Sequence, residues 1–241
     1  IVTLPLLENH ILLSGYAEAK LTLGVFLSFC FAYLVQKRLA MSSILGLAFS
    51  LFYLVVQKNV GIVFSCYLLL SILLARFFQG KLFYFMLAGQ VAFFLIVIFI
   101  APYFSDSINI LFEYVSGIAG REIYYDQRDI SEVFGSFLRA VFFNSSFSIS
   151  FLALFLVLYH NQGPSAAIAR AVAQFSVLVV LTWLGGSLLS DYGFRVTVVD
   201  GTGGSRFLMP MLGGLAASLA VAMGRETSLT SAIKLHAQRS R

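Results

Sequence analysis

Charge is what this sequence has least of. Asp, Glu, Lys and Arg make up 11% of its 241 residues and hydrophobic residues 59%, where a soluble globular chain carries about 25% charged and 45–50% apolar. With a mean hydropathy of +0.90, a soluble fold is excluded. Proline is also scarce, at 4 residues, while Phe reaches 25 and Tyr 11, so disorder and low-complexity linkers are excluded as the main content. The two cysteines, Cys30 and Cys66, fall inside apolar runs with no spacing that suggests a partner, and they read as small buried apolar residues. His10, His160 and His236 stand far apart. No metal-ligand spacing exists, and neither a metal, another cofactor nor a nucleic-acid partner is expected.

What remains is apolar sequence cut into membrane lengths. A helix needs about 17 to 25 apolar residues to cross a hydrocarbon layer. The charged residues bound uncharged runs of 16 residues between Lys20 and Lys37, 19 between Arg38 and Lys58, 17 between Lys58 and Arg76, and 24 between Lys81 and Asp106. Further runs of 20, 20 and 18 follow Arg139, Arg170 and Arg206. These runs are continuous rather than alternating, so helices are favoured over a β-barrel. The expected fold is all-α, a polytopic integral membrane protein with about seven transmembrane helices and one interfacial helical loop. Its parts are an external segment or interfacial helix at 1–20, a four-helix half at 21–104, an outer loop at 105–135, a three-helix half at 136–224 and a basic tail at 225–241.

Seven spans sort the loops onto two faces. The face that holds the C-terminal tail carries nine cations against one acid, Glu226, and the other carries seven cations against ten acids. Basic short loops mark the cytoplasmic side, so the tail is expected in the cytoplasm and the acid-rich face outside. Residues 1–20 offer no charged leader or small-residue cleavage site, and an external N-terminus carries the expectation of at least one further span upstream of Ile1.

Functional candidates concentrate in two outer segments, because no Asp, Glu, Lys or Arg lies near a span centre. That pattern disfavours ion-coupled pumps and proton relays, which hold ionisable groups at mid-membrane depth. In the first segment, Ile108, Leu111, Phe112, Val115 and Ile118 share helical spacing, as in a helix lying in the interface, and a break is expected at Gly117 and Gly120. Next come Arg121-Glu122-Ile123-Tyr124-Tyr125-Asp126-Gln127-Arg128-Asp129. Asp129 with Glu132 resembles a capping box, so a second helix should start near Asp129, with Ile130, Val133, Phe134 and Phe137 as its apolar stripe.

The second segment holds Asp191, Tyr192, Arg195, Asp200 and Arg206 around Gly201–Gly204. The glycines suit either an anion-binding backbone nest or a plain flexible hairpin. Arg121, Arg128, Arg195 and Arg206 could grip phosphate. Glu122 or Asp126 could deprotonate a hydroxyl, with Asp191 beside them. Tyr124, Tyr125 and Tyr192 could stack on a sugar face. The same residues would equally serve as interfacial ion pairs and an aromatic belt. In the last span, Gly213 with Ala217, and Gly214 with Ser218 and Ala222, set small residues one turn apart, which lets helix backbones approach closely.

The stretch Val56-Gln57-Lys58-Asn59-Val60-Gly61, the turn from Arg76 to Lys81, the long run ending at Ala101-Pro102, the pair Tyr124-Tyr125 and Ser205-Arg206-Phe207 with Pro210 together resemble bacterial exopolysaccharide polymerases of the EpsG/Wzy type, over about Arg38 to Met223. The chain departs from that family's pattern at Asn59-Val60-Gly61, where an Arg-Gln pair is common, and at Phe93 or Phe94, where a histidine is. The resemblance implies joining of lipid-pyrophosphate-linked repeat units, such as undecaprenyl-linked saccharides, at the outer face of the bacterial inner membrane. It also implies that arginines hold the leaving group and that Glu122 or Asp126 activates the acceptor, without metal or nucleotide. The alternative from composition is a non-catalytic subunit whose uncharged surfaces pack on other membrane subunits.

Overall fold

The computed structural model describes residues 17–57, 59–119, 122–126, 128–142, 164–199 and 208–223. Within them the chain is almost all helical, with no strand. The elements are α1 (Ala17–Lys37), α2 (Met41–Gln57), α3 (Asn59–Phe77), α4 (Lys81–Ile100), a 3-10 turn (Ala101–Phe104), α5 (Ser105–Ala119), α6 (Ile130–Phe142), α7 (Pro164–Leu189), the single turn α8 (Asp191–Phe194), a π-turn (Arg195–Val199) and α9 (Leu208–Met223).

Four stretches are long and apolar enough to cross a bilayer: Ala19–Lys37, Val60–Phe77, Lys81–Tyr114 and Ala166–Leu189. Met41–Gln57 and Leu208–Met223 are shorter apolar helices. The expected fifth span falls largely in residues 143–163, outside the described residues. Two local expectations are corrected. Gly117 does not end a helix, because α5 continues through it to Ala119. One glycine costs only about 1 kcal/mol in a helix. Cys30 is half-buried and Cys66 exposed, so they do not share one buried environment.

The first three helices form an antiparallel hairpin pair joined by turns of a few residues. Ser28 on α1 donates to Ser50 on α2 at 3.0 Å, and Ser65 on α3 donates to the Leu51 carbonyl at 3.3 Å. Gly61 permits the second turn, since a Cβ there would overlap the Leu54 carbonyl. Gly80, at φ +57°, makes the reversal into α4 in a region that glycine enters without steric penalty.

The core gathers on α7. Its Phe175 meets Phe29 of α1 edge-on at 5.7 Å and Phe64 of α3 at 6.1 Å. Against the same wall, α9 brings its small residues to α1 and α7: Gly213 faces the backbone at Thr22 and Phe26, and Gly214 faces Phe29 and Val172. The small-residue spacing read from the sequence is therefore a close helix contact.

α4 runs beside α7 in the same direction, as three contacts with rising residue numbers show. Gln174 donates to Gln90 at 2.8 Å, Gly185 faces the Phe94 ring, and Ile98 packs with Leu188. On its other sides α4 is bare: within it, only Phe83 and Ile98 are buried. Pro102 does not stop the chain, because it sits in the first turn of the 3-10 segment, where a missing N–H is tolerated. The helical path therefore continues from α4 into α5. α7 ends beside this junction, and there the candidate residues meet.

Candidate functional site

The site is built by a strap, residues 122–126 with Arg128, laid across the end of α7. Tyr125 and Ser190 form an antiparallel bridge. Around it the Asp126 N–H donates to the Leu189 carbonyl at 3.0 Å, the Arg128 N–H to the Leu188 carbonyl at 3.0 Å, and the Asp191 N–H to the Tyr124 carbonyl at 3.2 Å. The strap can bind there because α7 ends at Leu189. The last carbonyls of a helix lack intrahelical donors, and two of them are satisfied by the strap.

The other edge of the strap is held by α5. Asn109 Oδ1 accepts from the Tyr125 N–H at 2.9 Å, and Ser116 Oγ accepts from the Ile123 N–H at 2.9 Å. Asn109 and Ser116 lie seven residues apart, two turns along one face of α5. The apolar arc of that helix remains exposed at Ile110, Leu111 and Tyr114.

Beyond α7 the chain doubles back. Ser190 caps α8 by accepting from the Gly193 N–H at 3.0 Å, and it donates to the Gly186 carbonyl at 2.5 Å. Gly193 is required for this fold-back, since a Cβ there would strike the Gly186 carbonyl.

This arrangement brings together seven of the ten residues singled out from the sequence, and an eighth, Tyr192, lies in α8. Glu122, Tyr124, Tyr125, Asp126 and Arg128 lie along the strap. Asp191 faces them, accepting the Tyr124 N–H on Oδ1 at 3.0 Å, and exposed Arg195 follows one turn later. Arg121 and Arg206 lie outside the described residues, as do Asp200 and Gly201–Gly204.

The carboxylates differ in what engages them. Asp126 pairs with Arg128, whose guanidinium also stacks over the Phe194 ring at 4.7 Å. That pair competes with any role of Asp126 as a base. Glu122 is exposed and accepts the Tyr124 phenol at 2.8 Å. The hydrogen bond and the negative charge of Glu122 hold the Tyr124 phenol above its ordinary value, so it stays protonated and donating at neutral pH. Partial burial raises the Tyr125 phenol as well. Among the described residues no group of three or more His, Cys, Asp or Glu side chains could hold a metal ion.

Beneath the strap lies a buried polar knot that the sequence reading missed. The Trp183 indole N–H donates to Thr197 Oγ1 at 3.0 Å, and Ser187 Oγ shares a hydrogen bond with the same hydroxyl at 2.7 Å. Trp183 also packs on Phe137 of α6 at 5.4 Å. No sequence spacing ties Thr197 to Trp183. Asn109, Ser116 and Phe194 were missed as partners for the same reason.

α6 begins where the sequence placed it. Asp129 Oδ1 accepts from the Ser131 N–H at 2.8 Å, which is an N-cap; the donor is Ser131 rather than Glu132. These hydrogen bonds hold the Asp129 carboxyl below its usual range. A carboxyl so depressed stabilises the fold above its ordinary value, and the contribution is lost as pH falls through the lowered one. In an Asp129→Ala variant the Ser131 amide should exchange several-fold faster at neutral pH, and the difference from wild type should vanish in strong acid. Equal exchange at neutral pH would rule out the cap.

No protein-family model matches this sequence, and no curated protein or solved structure matches it.

Proposed function

We propose that this chain is a membrane-embedded polymerase or glycosyltransferase that joins lipid-linked saccharide units at the outer face of the bacterial inner membrane. The observation that carries this reading is the convergence of Glu122, Asp126 and Arg128 with Asp191 and Arg195 at one end of a bundle whose helices are otherwise apolar. Seven spans, with the C-terminal tail in the cytoplasm, make that end the outer one. The resemblance to polymerases of the EpsG/Wzy type supports the same assignment.

In this reading Glu122 takes the proton of an acceptor hydroxyl. The hydroxyl oxygen bonds to the anomeric carbon, and the bond from that carbon to the lipid pyrophosphate breaks. Arg195, exposed and one turn from Asp191, receives the leaving pyrophosphate, with Arg121 and Arg206 as further cations for it. Tyr124 orients Glu122 through the phenol hydrogen bond. Asp126 keeps Arg128 folded onto Phe194 and is a positioning residue.

The test replaces Glu122 by Gln and Arg195 by Ala in cells that depend on this protein, with polymer length and protein abundance measured together. Loss of a general base costs about 10²- to 10⁴-fold, so Glu122→Gln should reduce polymer about 100-fold at normal abundance. Unchanged polymer at unchanged abundance in both variants would sink the proposal. The second reading, a non-catalytic subunit, is favoured by the exposed Phe85, Phe93 and Phe99 along α4; co-purification of a stoichiometric membrane partner, together with unchanged polymer, would select it.

A further inference from the structure

At the end of α7 opposite the strap, Arg170 presents a charge with no counter-ion among the described residues. It is the seventh residue of α7, about 9 Å along the axis from the start of that helix. Its Nε is shielded from solvent and has no hydrogen-bond partner. An arginine that merely reaches for water keeps its head solvated. Arg170 is half-buried, and its Nε is drawn away from water without a partner, which favours a nearby anion because uncompensated charge away from water is costly.

The helices around it supply none. No Asp or Glu occurs between residues 19 and 105, which contain α2, α3 and α4, or between residues 133 and 190, which contain all of α7. The acids on the described outer segments, Asp106 to Glu132 and Asp191, belong to the other end of the bundle. What surrounds Arg170 is further donors. The Tyr84 hydroxyl of α4 lies within electrostatic reach of it, and Lys81 sits one turn before Tyr84 on the same side of α4. Tyr84 is 58% exposed and is steadied by an edge contact at 5.7 Å with the fully buried Phe83. Lys37 and Arg76 end α1 and α3 at the same level.

We propose that Arg170, Tyr84 and Lys81 form a binding site for the phosphate of an anionic phospholipid, seated between α4 and α7 in the leaflet that faces the basic loops. A bilayer supplies both parts of that ligand, a phosphate at the interface and acyl chains for the bare face of α4. Basic pockets between membrane helices bind such headgroups.

The test uses the full chain, purified in a neutral detergent, with dioleoylphosphatidylglycerol, dioleoylphosphatidylcholine or inorganic phosphate added, and reads thermal stability and lipid retention by native mass spectrometry. Phosphatidylglycerol should raise Tm and stay bound, while phosphatidylcholine and inorganic phosphate should not. Removing one cation should weaken lipid affinity about fivefold, both in Arg170→Gln and in Lys81→Gln, whose exposed side chain carries no folding role. The proposal is overturned if phosphatidylcholine stabilises equally, if inorganic phosphate alone reproduces the effect, or if both variants retain phosphatidylglycerol like wild type. It is overturned too if Glu226→Gln lowers the lipid-free Tm as much as Arg170→Gln does, since Glu226 would then be the counter-ion.

Discussion

Valine at Gly213 should destabilise the protein by about 3 kcal/mol, at the upper end of what overpacking costs. A Cβ at this position overlaps the Thr22 carbonyl oxygen and comes within 3.1 Å of the Phe26 nitrogen. Both obstacles are backbone atoms of α1, so no rotamer change relieves them, and α9 has to move away. That movement strips packing from Leu212 and Leu215, which are almost completely buried. The neighbouring glycine provides the control. A Cβ on Gly214 meets the Phe29 ring at 3.0 Å and a Val172 methyl at 3.3 Å, which are side-chain atoms able to shift slightly. Gly214→Ala should therefore cost less than about 1 kcal/mol. Thermal denaturation in detergent distinguishes the two, and equal Tm values would show that α9 does not pack on α1 through Gly213.

The second large effect is expected at Thr197. Its hydroxyl accepts from the Trp183 indole and shares a hydrogen bond with Ser187, and all three residues are buried. Thr197→Val keeps the shape and removes the oxygen, leaving two buried polar groups unpaired at about 1–3 kcal/mol each. Thr197→Ser keeps the hydroxyl and should lose much less. Trp183 is the sole tryptophan of the chain, so its fluorescence reports this site without interference. The valine variant should show a shifted emission maximum and a Tm lowered by several degrees, with the serine variant close to wild type. Because Trp183 also packs on Phe137, the valine change should loosen α6 and raise amide exchange there. An unshifted spectrum in the valine variant would mean that the indole is satisfied by another group.

Features set by local chemistry were legible in the sequence. Lys37, Arg76 and Lys81 lie at helix ends because a charge at the bilayer boundary stays hydrated. Asp129 caps α6, and Gly213 with Ala217 marks a close approach that small side chains alone permit. The strap was legible only in part. Its residues were singled out for their chemistry, but the bridge from Tyr125 to Ser190 is a backbone pairing between distant segments and leaves no side-chain signature. The stacking of Arg128 on Phe194 follows from that pairing and was equally hidden. Gly117 and Gly120 suggested a break, yet α5 runs through Gly117 to Ala119; Gly120 lies outside the described residues. One glycine costs only about 1 kcal/mol in a helix, and the Asn109 and Ser116 side chains tie the two turns before it to the strap.

The pairing of α4 with α7 has a consequence for how the chain is made. Gln90 and Gln174 are 84 residues apart, so α4 leaves the ribosome well before the helix it packs against. Until α7 arrives, the side of α4 that meets it lacks that partner, and Gln90 has no α7 amide to meet it. An almost uniformly apolar α4 suits that waiting period, and its single amide then finds the α7 amide by sideways diffusion in the bilayer. The strap can close only afterwards, because the carbonyls it binds, at Leu188 and Leu189, end α7. The strap therefore closes after α4 and α7 have paired, while α9, which follows α7 in the chain, has still to dock on α1 and α7.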